Sequence, residues 1–477
     1  METIITQIIE KMVEKIYKIF NKYEEDMTKM SEMIEGVKEA VVTFGLKMIK
    51  EEWENCDKLI RERKDIREGW NIVKKDERSL ITSIGEIRYE RTMYKKKETG
   101  ERKYLLDEVI GIGKRERISE DLEAEILKKA VNNSYEESGK TAGILVEVSK
   151  ESVKNKIHKL KFPKEIEEKE IKKEVKQLYI DADEDHIAIQ NKKGGEKINK
   201  SKYGKIVYVY EGIEKEGKRN KLKNVNYFCR VCEKEENKEY WREINKYIEN
   251  NYETEKIERI QLNSDAGSWI KRGMKEIEKV EAVLDGFHLS RSIEKIARYG
   301  EEKEEARKLR NIIKNKSKKE FEEELSRIIE KTKDENGKTK IIEQGKYILN
   351  NWTASKNRLK EKNTRIGSST EGHVSHILSD RMSSRPMAWS VTGADKMVQL
   401  RSYYFNGGDM LELVRFQKED CPLEEDIEEI VLSATQIIRS ENKNRKKLGN
   451  LADIPTYSIP YVQVKKIAAL KAHILGI

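Results

Sequence analysis

Apolar positions along the chain change their period several times, and each change marks a different kind of element. Near the amino terminus Ile5, Ile9, Met12, Ile16 and Ile19 recur at helical steps, followed by Tyr23, Met27 and Met30. That spacing predicts a helix packed on its own domain. A dimerisation helix is the alternative, although the stripe is not a strict heptad. After about Asp76 the stretch SLITSIGEIRYERTMYKKKETGERKYLLDEVIGI alternates apolar and polar residues, with ETGE as a turn. It predicts a small antiparallel β unit carrying a basic hairpin, RTMYKKK. Helical spacing returns in RISEDLEAEILKKAV.

In TAGILVEVSKESVKNKIHKL, Ser149 is placed to cap a helix on which Val153, Ile157 and Leu160 share one face. Lys150, Lys154, Lys156 and Lys159 point elsewhere, with Asn155 and His158 among them. A helix, a short turn at Val148-Ser149 and a second, basic-faced helix follow helix-turn-helix grammar. An ordinary helical hairpin fits this segment equally well. Phe162-Pro163 and the charge run KEIEEKEIKKE then read as a linker.

Beyond the linker the pattern becomes α/β. QLYIDAD and HIAIQ predict adjacent strands, and KIVYVYEGI a buried third. After a polar interval, IERIQLNSD predicts a strand leading into a helix, WIKRGMKEIEK. EAVLDGFH is another strand, followed by the helix LSRSIEKIARYG. Residues 296–362 are almost wholly helical in pattern. The expected divisions are a helical region (1–75), a basic β unit (76–115) and a helix-turn-helix-like region (116–163). A linker (164–175), the first part of an α/β domain (176–295) and the helical insertion (296–362) come next. A final helix of the α/β domain (363–400) and a tail (401–477) complete the chain.

Composition adds constraints. With 97 basic and 88 acidic residues the chain carries +9, which suits a polyanionic partner without demanding one. Four Cys are too few for a disulfide framework and point to a reducing compartment. The pair Cys229 and Cys232 lacks the second pair that zinc needs, so a buried strand thiol is expected there. The first residues carry charges throughout, which argues against a signal peptide, and no long apolar run predicts a membrane span. A cytoplasmic protein is expected. Against a background that is 39% charged, GSSTEGHVSHILSDRMSSRPMAWS (367–390) has only Glu371, Asp380, Arg381 and Arg385 as charged residues. Low charge predicts a helix that packs into a sheet, with Glu371, Val374, Leu378 and Met382 on one face. Arg381 and Arg385 lie on another side, available to phosphate.

Acidic residues recur at the ends of the apolar strands: Asp181 and Asp183, Asp265, and Asp285. Loops at strand carboxyl ends are free to converge on a ligand. Gathered carboxylates repel one another unless a cation sits between them. Hard oxygen ligands suit Mg²⁺ or Mn²⁺, and two such ions about 3.5–4 Å apart can hold both oxygens of an in-line displacement at phosphorus. Taken singly, Asp265 and Asp285 also fit helix N-caps, and Glu371 fits a capping box with Ser368.

Asp183, Asp265 and Glu371, in that order on a β-β-β-α-β-α-β plan with a helical insertion before the Glu, resemble the DDE transposases of RNase H-like fold. DGFH looks like the C/D-x-x-H signature of their Mutator-like branch. YIDADEDHIAIQ, LNSDAGSWIKRG, VLDGFHLSR and GSSTEGHVSHILSDRMSSRPMAWS together are similar to the ISLre-type bacterial insertion-sequence transposases. LITSIGEIRYERTMYKK, RISEDLEAEILKKAV and SKESVKNKIHKL match that family's amino-terminal layout, so the similarity runs from about residue 55 onward.

The resemblance implies an RNase H-like mixed-sheet catalytic domain interrupted by the helical insertion, preceded by a mainly helical DNA-binding region. It implies Asp183, Asp265 and Glu371 as ligands of two Mg²⁺ or Mn²⁺ ions, with Asp285 and His288 as accessory residues of the pocket. Asp181 stays open as the rival first ligand, because alternation puts it on the same side of the strand as Asp183. Lys150, Lys154, Asn155, Lys156, Lys159, Arg381 and Arg385 are the expected DNA contacts. The implied partners are double-stranded DNA, as terminal inverted repeats and target, and a second copy of the chain in a synaptic complex at the nucleoid. Two other functions compete. His186, His288, His373 and His376 would build a transition-metal hydrolase if they converged. A non-catalytic, transposase-derived DNA-binding protein would need none of the acids.

Overall fold

The amino-terminal apolar stripe folds as a helical hairpin of α1 (Glu2–Glu25) and α2 (Met30–Glu62). This computed structural model describes residues 2–163, 171–190, 201–217, 219–299, 302–361, 369–385 and 387–419. Residues 164–170 of the expected linker, Ser368 of the expected capping box and the tail from 420 onward lie outside the described residues. Only part of the stripe packs: Ile5, Met12, Ile16 and Ile19 are half-buried, whereas Ile9, Met27 and Met30 are exposed. Met27 and Met30 belong to the turn and the start of α2, where they have no helix beneath them.

The chain forms two compact units. Of the described residues, one unit holds those up to Lys129, then Tyr135–Val153 and Gln417–Glu419; the other holds those of Ala130–Ser134 and Lys154–Phe416. The first holds an antiparallel sheet of β1 (Trp70–Ile81), β2 (Glu86–Lys96) and β3 (Arg102–Tyr104), in that order. The sheet begins before Asp76 because pairing with β2, from Trp70 opposite Lys96, carries the charged stretch that sequence alternation does not mark. Leu80, Ile87 and Tyr89 pack on Cys56 of α2 and on Leu106 of α3 (Leu105–Val109). The helices α4 (Glu120–Ala130), α5 (Tyr135–Thr141) and α6 (Lys150–Lys159) follow.

Val153, Ile157 and Leu160 are buried, as their spacing requires. Ser149 Oγ accepts a hydrogen bond from the Ser152 amide at 3.3 Å. The connection between α5 and α6 is a longer loop, 142–149, in place of a short turn at Val148-Ser149. It is drawn in where the Val148 amide donates to the Gly139 carbonyl; a Cβ at Gly139 would lie 2.0 Å from the Val148 oxygen, so only glycine fits.

In the second unit β4 (Gln177–Ala188), β5 (Ser201–Tyr210), β6 (Gly212–Glu216), β7 (Arg219–Lys223) and β8 (Asn226–Arg230) precede α7 (Asn237–Asn251). Then come β9 (Arg259–Ser264), α8 (Ser268–Gly273), β10 (Val280–Leu284) and α9 (Gly286–Ala297). Five strands make a mixed sheet ordered β10-β9-β4-β5-β8, with β6 and β7 paired apart as a hairpin. β4, β9 and β10 run parallel; β5 is antiparallel to both β4 and β8.

Three expectations change here. QLYIDAD and HIAIQ are one strand, because pairing with β5 continues through Asp183–Ala188 despite their polarity. The third strand is β8, inside the interval that reads as polar. The helix after Asp265 stops at Gly273, where a Cβ would meet the Trp241 ring at 1.9 Å.

The two faces of this sheet differ. Leu178, Ile180 and Ala182 of β4, Val207 and Val209 of β5, and Ile260 and Leu262 of β9 form one aliphatic face. It is covered by Trp241, Ile244 and Ile248 of α7 and by Trp269 and Ile270 of α8. Each such side chain contributes roughly 1.5–3 kcal/mol by leaving water. The opposite face carries Asp181, Tyr208, Tyr210, Gln261 and Asn263, all buried. Beyond α9 the insertion is helical as expected: α10 (Glu302–Asn315), α11 (Lys318–Lys331), α12 (Glu335–Asn350) and α13 (Trp352–Lys360). No helix among the described residues is long and apolar enough to cross a membrane.

Candidate functional site

Parallel strands β4, β9 and β10 lie side by side and deliver acids at or just past their paired ends. The β4–β9 pairing runs to Ala182 opposite Ser264, so Asp183 and Asp265 are the next residues on each strand. Asp285 follows Leu284, itself paired with Ser264. Burial, and then the nearby Asp265 and Asp285 carboxylates, push Asp183 up to about 6, against the Glu184 amide and His288, which lower it. Mutual repulsion of this kind is what a hard cation would relieve.

The turn after β9 is tightly specified. Asp265 Oδ1 accepts from the Gly267 amide at 2.9 Å, and Ala266 sits at φ +69. A left-handed non-glycine residue beside a cluster of acids is the kind of local strain that gathers at functional sites. Asp285 is the N-cap of α9: its Oδ2 accepts from both the amide and Nδ1 of His288, each at 3.0 Å. Those bonds hold Asp285 below the usual carboxylate range although burial opposes them. Asp285 in turn raises His288, which Asp265 and Asp183 also favour in its cationic form. Asp265 is not a cap, since Gly267 holds that position for α8.

Asp181 has a different role from Asp183. It is fully buried; Tyr208 donates to its Oδ2 at 2.7 Å, Thr370 to Oδ2 at 3.1 Å and Tyr210 to Oδ1 at 3.2 Å. Burial raises it to about 6, against those three donors. Asp183, with hydrogen-bonding capacity left, is the more open of the two.

The segment after the insertion forms α14 (Thr370–Val374), a π-helical turn (Ser375–Ser379) and α15 (Asp380–Met382). Helices α16 (Val391–Phe405) and α17 (Met410–Glu419) follow. Its low charge now has a cause, because its small polar side chains bond to strand residues. Besides the Thr370 contact, His373 Nδ1 lies 2.8 Å from Tyr227 Oη, and its ring packs at a tilt against Tyr208. Ser379 and Ser383 donate to Asp185 at 2.7 and 2.5 Å. Burial holds His373 down to about 4, so it is neutral. Val374, Leu378 and Met382 are buried on one face, as expected.

A π turn leaves carbonyls without their α-helical partners, and such turns are frequent at functional sites. Here Arg401 supplies the donors, bonding Ile377 O at 2.5 Å and His376 O at 2.6 Å, and also Val131 O and Asn132 Oδ1. Arg401 is itself buried, which pulls its guanidinium down to about 10.

Asp285 and His288 are bonded to each other and feel the charges of Asp183 and Asp265, while Glu371 stands exposed at the start of α14. Among the described residues no three His, Cys, Asp or Glu side chains converge as a metal cage. The donor chemistry of carboxylates fits a hard cation, but Asp183, Asp265 and Glu371 do not form such a cage. The four histidines of the hydrolase alternative do not converge either. His186 stacks on Tyr203, His373 serves Tyr227, His288 serves Asp285, and His376 packs on Phe405.

Arg381 is a correction. It is buried, donates through Nε to Ala130 O at 3.2 Å and lies over Trp389, so it is unavailable to phosphate. Arg385 is exposed, as are Lys150, Lys154, Asn155 and Lys159; Lys156 is half-buried. Cys229 is a buried strand thiol on β8, as expected.

Sequence reasoning missed Thr370, Arg401 and Arg358. The Arg358 guanidinium of α13 lies against Gly286, where a Cβ would meet it at 2.8 Å, next to Asp285. Nothing in the Lys- and Arg-rich insertion singles out Arg358. The serine- and threonine-rich opening of α14 was a signal for Thr370.

The sheet and the carboxylates at its paired strand ends define a mixed α/β protein. The chain belongs to UPF0236, an uncharacterised protein family whose model matches residues 23–420. Over 415 residues it is 37% identical to a UPF0236 protein of Caldanaerobacter subterraneus subsp. tengcongensis, covering 86% of this chain and 85% of that one. A second UPF0236 protein of that organism is 35% identical over 415 residues, 86% and 85% of the two chains. It is also similar to the UPF0236 protein in the vanSb 3′ region of Streptococcus gallolyticus, 24% identical over 360 residues, 71% and 75% of the chains.

Proposed function

We propose that this chain is a DNA transposase with an RNase H-like catalytic core, which binds the ends of its element, cleaves phosphodiester bonds and joins strands. The observation that carries this reading is the row Asp183, Asp265, Asp285 at adjacent parallel strand ends, with the Glu371 helix tied to the same sheet face through Thr370. The strand plan supports it: an antiparallel β4-β5-β8 followed by β9 and β10 parallel to β4. The name of one relative joins eleven loci of one genome, as repeated copies of a mobile element would.

On this reading Asp183, Asp265 and Glu371 hold Mg²⁺ or Mn²⁺, which when bound would stabilise charge on the attacking and leaving oxygens at phosphorus. Asp285 fixes the His288 ring through Nδ1 and leaves Nε2 to donate to a phosphate oxygen. Exposed Lys150, Lys154 and Lys159 of α6 position DNA through its backbone, so binding weakens with added salt. Joining two ends requires at least two copies of the chain, acting at the nucleoid.

The test is incubation with DNA carrying the element's own ends, with and without Mg²⁺. Cleavage at the ends should require the metal. Asp183→Ala, Asp265→Ala and Glu371→Ala should each lower it by at least about 10³-fold while leaving DNA binding intact. Mg²⁺-dependent cleavage at full rate by Glu371→Ala would sink the assignment.

A further inference from the structure

One hydroxyl touches both strands that bear the first two acids. Thr370 Oγ1 donates to Asp181 Oδ2 on β4 at 3.1 Å and accepts from Asn263 Nδ2 on β9 at 3.2 Å. Asp181 and Asn263 are directly opposed in the parallel register. Each precedes its acid by two residues: Asp181 before Asp183 on the same side of β4, and Asn263 before Asp265 just past the end of β9. Thr370 is buried and immediately precedes Glu371. A single side chain therefore fixes the start of the Glu371 helix against both acid-bearing strands at once.

We propose that Thr370 is the positioning residue of the site, with Asp181 and Asn263 as its anchors. Together they set how far Glu371 must travel to join Asp183 and Asp265. This rests on the transposase reading. It also explains why two carboxylates stand on one side of β4. Asp183 faces the ligand, and Asp181 serves the neighbouring helix by accepting Thr370 together with Tyr208 and Tyr210.

The π-helical turn adds to the same device. Arg401 grips its carbonyls at His376 and Ile377, so the segment is held from the sheet side at Thr370 and from the α16 side beyond Glu371. Between those two grips lie only Glu371–Ser375, with His373 bonded to Tyr227. Losing the Thr370 grip loosens the turn that bears the carboxylate.

Thr370→Val keeps the shape and removes the hydroxyl; Thr370→Ser keeps the hydroxyl. Three readouts apply to both variants. Hydrogen exchange of the metal-free protein should quicken by at least about tenfold at 371–374 in Thr370→Val and stay near wild type in Thr370→Ser. Mn²⁺ titration by calorimetry should show affinity lower by about tenfold or more in Thr370→Val. In end cleavage, the Mg²⁺ needed for half-maximal rate should rise by a similar factor, with DNA binding unchanged and Thr370→Ser restoring the wild-type value.

If Thr370→Val does not fold, Asn263→Ala, which cuts the β9 tie alone, should raise exchange and metal demand in the same direction. Wild-type exchange and wild-type Mn²⁺ affinity in the folded variant would overturn the inference. Absence of cleavage by the wild-type protein would instead strike the transposase reading, while exchange and Mn²⁺ affinity would still decide the role of Thr370.

Discussion

The two faces of the five-stranded sheet are made from the same strands, yet they are held by different forces. On one, aliphatic side chains of β4, β5 and β9 meet the tryptophans of α7 and α8, and the contact is non-directional. On the other, Asp181 accepts from Tyr208, Tyr210 and Thr370, Asn263 donates to Thr370, and Tyr227 bonds His373, each bond demanding particular atoms at particular distances. A buried polar layer costs free energy wherever a partner is missing. Gln261 finds none for its amide among the described residues. What such a layer provides is direction: it permits one placement of the Glu371 helix where an oily face would permit several.

The contrast breaks most visibly on the aliphatic side. Trp241 is fully buried between the sheet and α8, and Gly273 exists to let its ring in. Trp241→Ala should cost about 4 kcal/mol in denaturant unfolding, because the cavity cannot collapse onto a sheet. The polar side should respond to shape-preserving changes that the other face would tolerate. Asp181→Leu leaves three hydroxyls without their acceptor and should cost about 3 kcal/mol, whereas Asp181→Asn should cost about 1. A Leu as harmless as Asn would mean that the two faces do not differ in kind.

The sequence made one face far more legible than the other. The apolar run of KIVYVYEGI and the apolar residues of QLYIDAD and IERIQLNSD mark the strands that carry Ile180, Val207, Val209 and Leu262. Tyr208 belongs to the apolar run that reads as a buried strand, whereas nothing local says that a later helix will cover Asp181 and Asn263. The low charge of 367–390 hinted at that covering. Its partners lie far away in sequence, with Thr370 reaching back to β4 and Ser379 to Asp185. Asp265 and Asp285 were readable because strand ends can be counted; Asp183 reads as a strand end in the sequence, but β4 runs on to Ala188. Arg381 was misplaced because helical spacing gives a side but not what lies against it. In the fold that side holds Ala130 and Trp389. β8 was hidden for a related reason: a five-residue strand with only alternate residues buried resembles any polar interval.

An effect of opposite sign sits where the polar face ends in the site. Asp183 is raised to about 6 by burial and by the carboxylates of Asp265 and Asp285, so the folded state binds its proton more tightly than the unfolded chain does. Its contribution to stability is therefore full below about pH 4 and is lost as pH rises through 6. Above that, the ionised carboxylate works against the fold. Asp183→Asn removes the charge while keeping the shape. It should stabilise the metal-free protein by about 2 kcal/mol at pH 8, a discounted figure because the carboxyl is part-exposed, and by nothing measurable at pH 4. Urea unfolding of both proteins across that range, in chelator, measures the difference directly. Added Mg²⁺ should narrow it at pH 8 by stabilising the wild type alone. An Asp183→Asn protein no more stable than wild type at pH 8 would mean that these acids do not repel one another. The site would then lack the electrostatic reason to seek a cation.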